Sequence, residues 1–201
     1  YIAPTYRQAK NVAWDYLKQF AGAIPMVRFH ETELRCDLPN GSRIQLLGAE
    51  NPDSLRGIYL DGAVLDEMAD MPESLFPEVI RPALSDRKGW ALFIGTPKGH
   101  NAFYELFEAA QAQDDWYTKI YKASETGILD DEELGAAKAM MSPDQFEQEF
   151  ECSWVANVKD CRITKRSCSR RGTSTVPIMH HMILRSGNLA AESPGERLRM
   201  I

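Results

Sequence analysis

The 201-residue sequence lacks any run of apolar residues long enough to span a lipid bilayer, which takes about 20 residues in a helix. It also lacks an amino-terminal segment in which basic residues precede a short apolar stretch, the layout of a secretory signal peptide. We therefore expect a cytoplasmic protein with no membrane partner. The hydrophobic fraction of 44% is that of an ordinary globular domain.

Cysteine and histidine are scarce, with four residues of each type. No two cysteines have CxxC spacing, and Cys161 and Cys168 do not stand at zinc-ligand distances from His180 and His181. The sequence thus predicts neither a disulfide framework nor a zinc site. Free thiols suit a reducing compartment.

The net charge of −6 conceals two different regions. Residues 1–157 hold 14 basic and 26 acidic side chains, whereas residues 158–201 hold 9 basic and 3 acidic ones. The second region also has no sustained period of two or 3.6 residues. We predict a folded acidic body over 1–157 and a disordered or irregular basic tail over 158–201. An acidic body disfavours a broad DNA-binding face, although a local basic patch can still grip a phosphate backbone.

The body alternates between strand-like and helix-like segments. Strands are predicted to end near residue 4 and to lie at 62–65, 90–94 and 116–123, and an Asn-Gly turn predicts a hairpin between 34–38 and 43–47. Helices are predicted at 5–20, with Val12, Tyr16, Leu17 and Phe20 on one face, at 103–112, at 130–140, and from a Ser-x-x-Gln capping box at 142 to about 150. This alternation is typical of an α/β fold in which helices flank a mostly parallel sheet.

Two of the predicted strands end in residues that could carry chemistry. Residues 62–67 read Gly-Ala-Val-Leu-Asp-Glu, the form of a Walker B segment, in which the first acid holds Mg²⁺ and the second polarises the attacking water. Residues 93–97 read Phe-Ile-Gly-Thr-Pro, and Thr96 could sense a γ-phosphate if the two strands are neighbours. Taken singly, the first run is more often an ordinary strand meeting an acidic loop, and the second a Thr-Pro turn.

Three segments, taken in order, resemble the ATPase domain of phage terminase large subunits. They are Ser-Leu-Arg-Gly at 54–57, Val-Leu-Asp-Glu at 64–67 and Ile-Gly-Thr-Pro-Lys-Gly at 94–99. The similarity extends from residue 1 to about residue 154. It implies a partial domain with a P-loop NTPase-like fold, belonging to a motor that uses ATP to drive double-stranded DNA into a capsid.

The same resemblance implies roles for four residues. Asp66 matches the acid that binds Mg²⁺ and so helps to hold the nucleotide, and Glu67 matches the catalytic glutamate. Thr96, the candidate nucleotide-contacting residue, matches the coupling motif that links hydrolysis to movement. Arg56 matches an arginine finger offered to the neighbouring subunit; its alternative is a surface arginine near a turn.

The cofactors and partners implied in this way are those of the family. The cofactors are ATP and Mg²⁺. The partners are double-stranded DNA, a portal protein, a terminase small subunit and neighbouring copies of the chain itself. The implied location is the cytoplasm of the host cell.

The sequence departs from the family in two places. No Gly-x-x-x-x-Gly-Lys-Ser/Thr loop occurs and no methionine opens the chain, so we expect the sequence to start after this loop and to be inactive alone. Residues 158–201 hold too few acids for the family's two-metal nuclease site. One hypothesis is that this region is translated out of frame, since a two-nucleotide offset over 162–169 and 181–187 can yield nuclease-like strings.

Two other functions stay open. A non-enzymatic remnant could keep the scaffold in order to bind a portal or a small subunit, and nucleotide binding would separate it from an ATPase. The helicase-like core of another P-loop ATPase could also carry the two acids. Helicases usually follow their Asp-Glu with Ala-Asp or Ala-His, whereas Met68 follows here.

Overall fold

A computed structural model describes residues 1–155 and 183–186. Its strands are β1 (Ile2–Ala3), β2 (Arg28–His30), β3 (Arg35–Asp37), β4 (Arg43–Gln45), β5 (Leu47–Gly48), β6 (Gly62–Asp66), β7 (Trp90–Ile94), β8 (Trp116–Lys119) and β9 (Ile183–Ser186). The longer helical segments are Tyr6–Ala9 continued by π-helical Lys10–Trp14 and by Asp15–Ala21, π-helical Leu75–Ile80 continued by Arg81–Ser85, Ala102–Gln111, Asp131–Met140 and Pro143–Glu149. Short helical turns lie at Pro52–Leu55, Met68–Asp70 and Ala123–Thr126. None of these helices is long and apolar enough to cross a membrane.

The main sheet has six strands in the order β5-β1-β6-β7-β9-β8. Strands β5, β1, β6 and β7 run parallel to one another. Alternate residues of β6 and β7, such as Leu65 and Phe93, are buried in one core with apolar residues of the helices that flank the sheet. The predicted α/β fold with a mostly parallel sheet is confirmed.

Strand β9 lies in the region that the sequence predicts to be irregular. It pairs antiparallel with β7 on one side and with β8 on the other. At these four residues the structure therefore departs from the expected irregular tail, because backbone pairing with an open strand edge needs no periodic apolar face. The rest of region 158–201, including most of the segments that motivated the frameshift hypothesis, lies outside the described residues.

A second, three-stranded sheet is built on the predicted hairpin. Strand β3 pairs antiparallel with β2 and with β4. In the loop between β3 and β4 the Leu38 N–H donates to the Ser42 carbonyl at 2.8 Å and the Gly41 N–H to the Leu38 carbonyl at 3.0 Å. Gly41 has a φ of 85°, a backbone conformation that glycine adopts without a Cβ clash. The hairpin prediction is confirmed.

The first helix buries a different face from the one its sequence pattern indicates. Tyr16 and Phe20 stack on each other but are 55% and 74% exposed. Ala9 and Trp14 are buried instead. They are five residues apart in sequence, and both reach the core because one turn of the helix is π-helical. Of the predicted face, Leu17 packs against the core beside Trp14, whereas Val12, Tyr16 and Phe20 are exposed.

The end of the described body closes over the helix Ala102–Gln111. The indole of Trp154 lies 5.2–5.9 Å, centroid to centroid, from the rings of Phe103, Tyr104 and Phe107. The helix before it begins with the predicted capping box at Ser142. These contacts hold the segment around Trp154 against this helix.

The buried thiol of Cys152 gives the fold a testable pH dependence. It is 3% exposed and donates to the Tyr121 carbonyl at 3.4 Å. Burial raises its pKa to about 11, above the ordinary value near 9. A raised folded-state pKa stabilises the fold fully below pH 9, and that contribution is lost as pH rises towards 11.

We expect a Cys152→Ser variant, which keeps a hydrogen-bond donor without a titrating thiol, to lose less stability at high pH. Between pH 8 and pH 10.5 the free energy of unfolding should fall by about 1–2 kcal/mol more in the unsubstituted chain. Urea denaturation at the two pH values measures this difference. Equal losses in both proteins would contradict the assignment.

Candidate active site

The two chemistry-bearing strand ends lie side by side. Strands β6 and β7 pair in parallel over five residues, with Asp66 opposite Ile94. Asp66 and Thr96 are 4% and 8% exposed, so both polar side chains are enclosed at one edge of the sheet. The predicted adjacency of the two strands is confirmed. The catalytic and binding roles of these residues stay predictions.

The carboxylate of Asp66 is held by two donors from the chain. Its Oδ1 accepts the Glu67 N–H at 3.1 Å, and its Oδ2 accepts the hydroxyl of Tyr1. Burial of the phenol, followed by its hydrogen bond to Asp66, raises the pKa of Tyr1. Tyr1 is therefore a protonated donor at neutral pH. No local sequence pattern indicates this role for Tyr1, because only the pairing of Ile2 with Leu65 places it beside Asp66.

Glu67 has a strained backbone. Its φ of 56° and ψ of 48° lie in the left-handed region, which costs a residue other than glycine about 1–2 kcal/mol. Its carbonyl accepts the Asp70 N–H at 2.9 Å, which closes the turn after β6. Strain of this kind is concentrated at functional sites.

Gly95 allows the end of β7 to approach this turn closely. A Cβ added at Gly95 would lie 3.1 Å from the Met68 nitrogen and 3.4 Å from the Glu67 Cα. Since both neighbours belong to the backbone, neither can move away cheaply. The small residue before Thr96 thus sets the distance between the two strand ends.

Two further contacts join the loops that follow β6 and β7. The ammonium of Lys98 lies 2.7 Å from both carboxylate oxygens of Asp70. The side chain of Asn101 donates to the Ala69 carbonyl at 3.4 Å and also caps the helix Ala102–Gln111. The acid-bearing loop is therefore tied to the loop of Thr96 and to the helix beyond it.

Arg56 belongs to a separate surface groove. Its guanidinium donates to Asp53 at 2.8 Å and to the Glu78 carboxylate at 3.4 Å, and the hydrogen bond that Asp53 accepts is the main cause of the raised pKa of Arg56. Tyr59 and Pro82 also line the groove. The side chain is 52% exposed, so a partner could reach it. No local sequence pattern indicates that these two acids hold Arg56.

The residues present fit the metal side of a nucleotide site. Mg²⁺ is usually bound by one or two protein carboxylates together with phosphate oxygens and waters. Asp66, fixed at a strand end, provides such a carboxylate. Within residues 1–155 and 183–186 no three His, Cys, Asp or Glu side chains form a closed metal site.

Comparison with protein families gives one match that covers most of the chain. Residues 1–168 match the family described as terminase large subunit, T4likevirus-type, N-terminal. The chain belongs to this terminase family. The matched segment extends past residue 157, where the change in composition predicts the end of the body.

Individual terminases are similar over parts of the chain. The terminase large subunit of Thermus virus P23-45 is 37% identical over 125 residues, which are 53% of this chain and 26% of that protein. The terminase large subunit of Escherichia phage T5 is 30% identical over 163 residues, 76% of this chain and 36% of that protein. The chain thus spans about a quarter to a third of the length of these relatives.

Solved terminase structures share the fold. The ATPase domain of the large terminase of Thermus phage P74-26 superposes with a TM-score of 0.56 at 28% identity, over 77% of this chain and 75% of that one. A large terminase from a thermophilic bacteriophage, solved in complex with ADP, superposes with a TM-score of 0.63 at 16% identity, over 77% of this chain and 39% of that one. The second likeness concerns the fold alone.

We expect Gly95→Ala to destabilise the chain by about 1–3 kcal/mol, since the added methyl group meets backbone atoms of the Glu67 turn. Gly135→Ala is the matched control. Gly135 lies in the helix Asp131–Met140 with open space around it, so alanine there should stabilise by up to about 1 kcal/mol. Urea denaturation measures both changes, and a neutral Gly95→Ala would contradict the close approach.

Proposed function

We propose that this chain is part of the ATPase domain of a viral DNA-packaging motor, in which ATP hydrolysis drives double-stranded DNA into a capsid. The observation that carries the proposal is the placement of Asp66, Glu67 and Thr96 at one edge of a parallel sheet, in a chain of the terminase family. The related large terminase that was solved with ADP supports a nucleotide at this fold.

Each residue has a defined task in this proposal. Asp66, oriented by Tyr1, would hold Mg²⁺, and Glu67 would orient a water molecule and accept its proton. Thr96 contacts the nucleotide from the neighbouring strand end. Arg56 reaches the site of a neighbouring copy, where its planar donors stabilise charge on the transferred phosphoryl group. Bound MgATP supplies the bond that is hydrolysed.

The phosphate-binding loop is missing from this set. The sequence contains no Gly-x-x-x-x-Gly-Lys-Ser/Thr, whose backbone N–H groups and lysine cradle phosphates in P-loop enzymes. We therefore propose that residues 1–201 alone do not hydrolyse ATP. The proposed partners are DNA, a portal protein, a terminase small subunit and further copies of the chain, in the cytoplasm of the host. Family membership favours this function over a helicase-like one.

We expect no Mg²⁺-dependent ATP hydrolysis by residues 1–201, and hydrolysis by a polypeptide extended upstream through a phosphate-binding loop. In the extended form Glu67→Gln should lower kcat by about 10²-fold or more while leaving nucleotide affinity unchanged, because it removes the charge that orients water. The exposed Glu73 supplies the control Glu73→Gln. Steady-state phosphate release and nucleotide titration are the measurements.

Two results would contradict this assignment. Robust hydrolysis by residues 1–201 would place the phosphate site elsewhere. If the extended polypeptide turns over equally fast with Gln as with Glu at position 67, the role of Glu67 is structural.

The role of Arg56 has its own test in the extended polypeptide. Arg56→Ala should lower turnover by about 10³-fold or more, in line with other arginine fingers. If the finger acts on a neighbour, mixing Arg56→Ala with Glu67→Gln should restore part of the activity, because a mixed pair contains one site with both residues intact. Mixtures no more active than their components would exclude action between subunits.

A further inference from the structure

The three-stranded sheet has one polar face that the proposed ATPase site does not use. In the register of this sheet Arg28 stands opposite Asp37 and Asp37 opposite Arg43, while His30 stands opposite Arg35 and Arg35 opposite Gln45. Paired residues of antiparallel strands project on the same side of a sheet, and alternate residues of each strand share that side. These six residues therefore form one surface, which we call the arginine face.

On the opposite side of the same sheet, β2 and β3 pack against the protein, whereas Ile44 of β4 is 38% exposed. Cys36 is fully buried, and Phe29 packs in a cluster with Trp14, Leu34 and Leu46. Trp14 and Phe29 meet edge to face with centroids 6.0 Å apart. The sheet is thus anchored through its apolar side, which fixes the position of the arginine face.

Asp37 is the only acid among the six residues, and it organises the cations around it. Its carboxylate lies 2.8 Å from the Arg43 Nε, 3.2 Å from the Arg35 Nε and 3.2 Å from the His30 Nε2. The hydrogen bond from Arg43 is the first cause of its lowered pKa, so the carboxylate stays ionised. One negative charge thereby holds several donors in fixed directions.

Positive charge remains after this pairing. Glu33, in the turn between β2 and β3, pairs with Arg35, so two carboxylates face three guanidinium groups and His30. Arg28 forms no ion pair with any residue of the described segments. Arg28 and the 55%-exposed Arg43 stand on the two outer strands, about 10 Å apart, far enough to meet different phosphates.

The charge of the arginine face differs from that of the rest of the body. Residues 1–48, which contain the sheet, hold six Lys or Arg and four Asp or Glu, whereas residues 49–157 hold 8 and 22. A polyanion is repelled by the second region and attracted only weakly by the first.

A groove of about 520 Å³ runs along the arginine face, with Met26 and Pro39 at its sides. Arg28 and Arg35 line this groove, and the guanidinium fork of an arginine suits phosphate oxygens.

We propose that the arginine face is where this chain contacts the phosphodiester backbone of duplex DNA. This inference rests on the proposed function of a DNA motor and adds the residues that grip the substrate. Direct contacts to phosphates carry no sequence information. The contact should therefore be independent of base sequence and strongly dependent on salt.

The test is fluorescence anisotropy of residues 1–201 with two labelled 30-base-pair duplexes of unrelated sequence over a series of salt concentrations. Arg28→Ala and Arg43→Ala should each weaken binding to both duplexes alike and lower the slope of log affinity against log salt by about 1. Arg28→Lys, which keeps the charge, should retain most of the slope.

Arg87→Ala is the matched control, because Arg87 is 52% exposed and pairs with Asp61 at 2.8 Å, much as Arg43 pairs with Asp37. It should leave the salt slope unchanged. Urea denaturation checks that Arg28→Ala folds normally, as expected for a side chain without an ion pair.

Three results would overturn the proposal. The first is no binding of either duplex at low salt. The second is equal binding by the two arginine-face variants and the unsubstituted chain, which would assign DNA to another segment such as the basic residues 158–201. The third is an equal loss with Arg87→Ala, which would indicate bulk charge alone. None of them bears on hydrolysis, which the Glu67 variant tests separately.

Discussion

Everything assigned to the strand-end site depends on the parallel pairing of β6 with β7. The pairing is favourable because Leu65 and Phe93 stand opposite each other in the core, and buried apolar surface is the main driving force for folding. Once these residues are buried, the polar residues that follow must leave the sheet at the same edge. The placement of Asp66 and Thr96 at one edge is thus a consequence of the hydrophobic register behind them.

Local chemistry made part of this fold predictable. The apolar strands, the Asn-Gly hairpin and the capping box at Ser142 each depend on residues close together in sequence. The contact of Tyr1 with Asp66 spans 65 positions and follows from strand order, which no local pattern specifies. The buried face of the first helix was also missed, since a π-helical turn shifts the positions that face the core.

The arginine face shows the limit of arguments from net charge. The composition of the body indicates an acidic protein and disfavours a DNA surface. Strand alternation nevertheless gathers Arg28, Arg35 and Arg43 on one side of a small sheet. The predicted hairpin supplied β3 and β4, but the three-residue β2 carries too little pattern to be recognised. Spatial grouping, which the sequence alone does not give, turns scattered arginines into a surface.

Tyr1 links the arginine face to the strand-end site through hydrogen bonds of its nitrogen and its hydroxyl. Gln45, on the arginine face, accepts a hydrogen bond from the Tyr1 nitrogen at 2.9 Å, and the Tyr1 hydroxyl reaches Asp66. A load on β4 would therefore be transmitted to the acid pair through hydrogen-bonded strands, which resist deformation. Coupling also needs an element with two arrangements. The backbone of Glu67, held at a φ of 56° directly after Asp66, is the strained position at the end of this route.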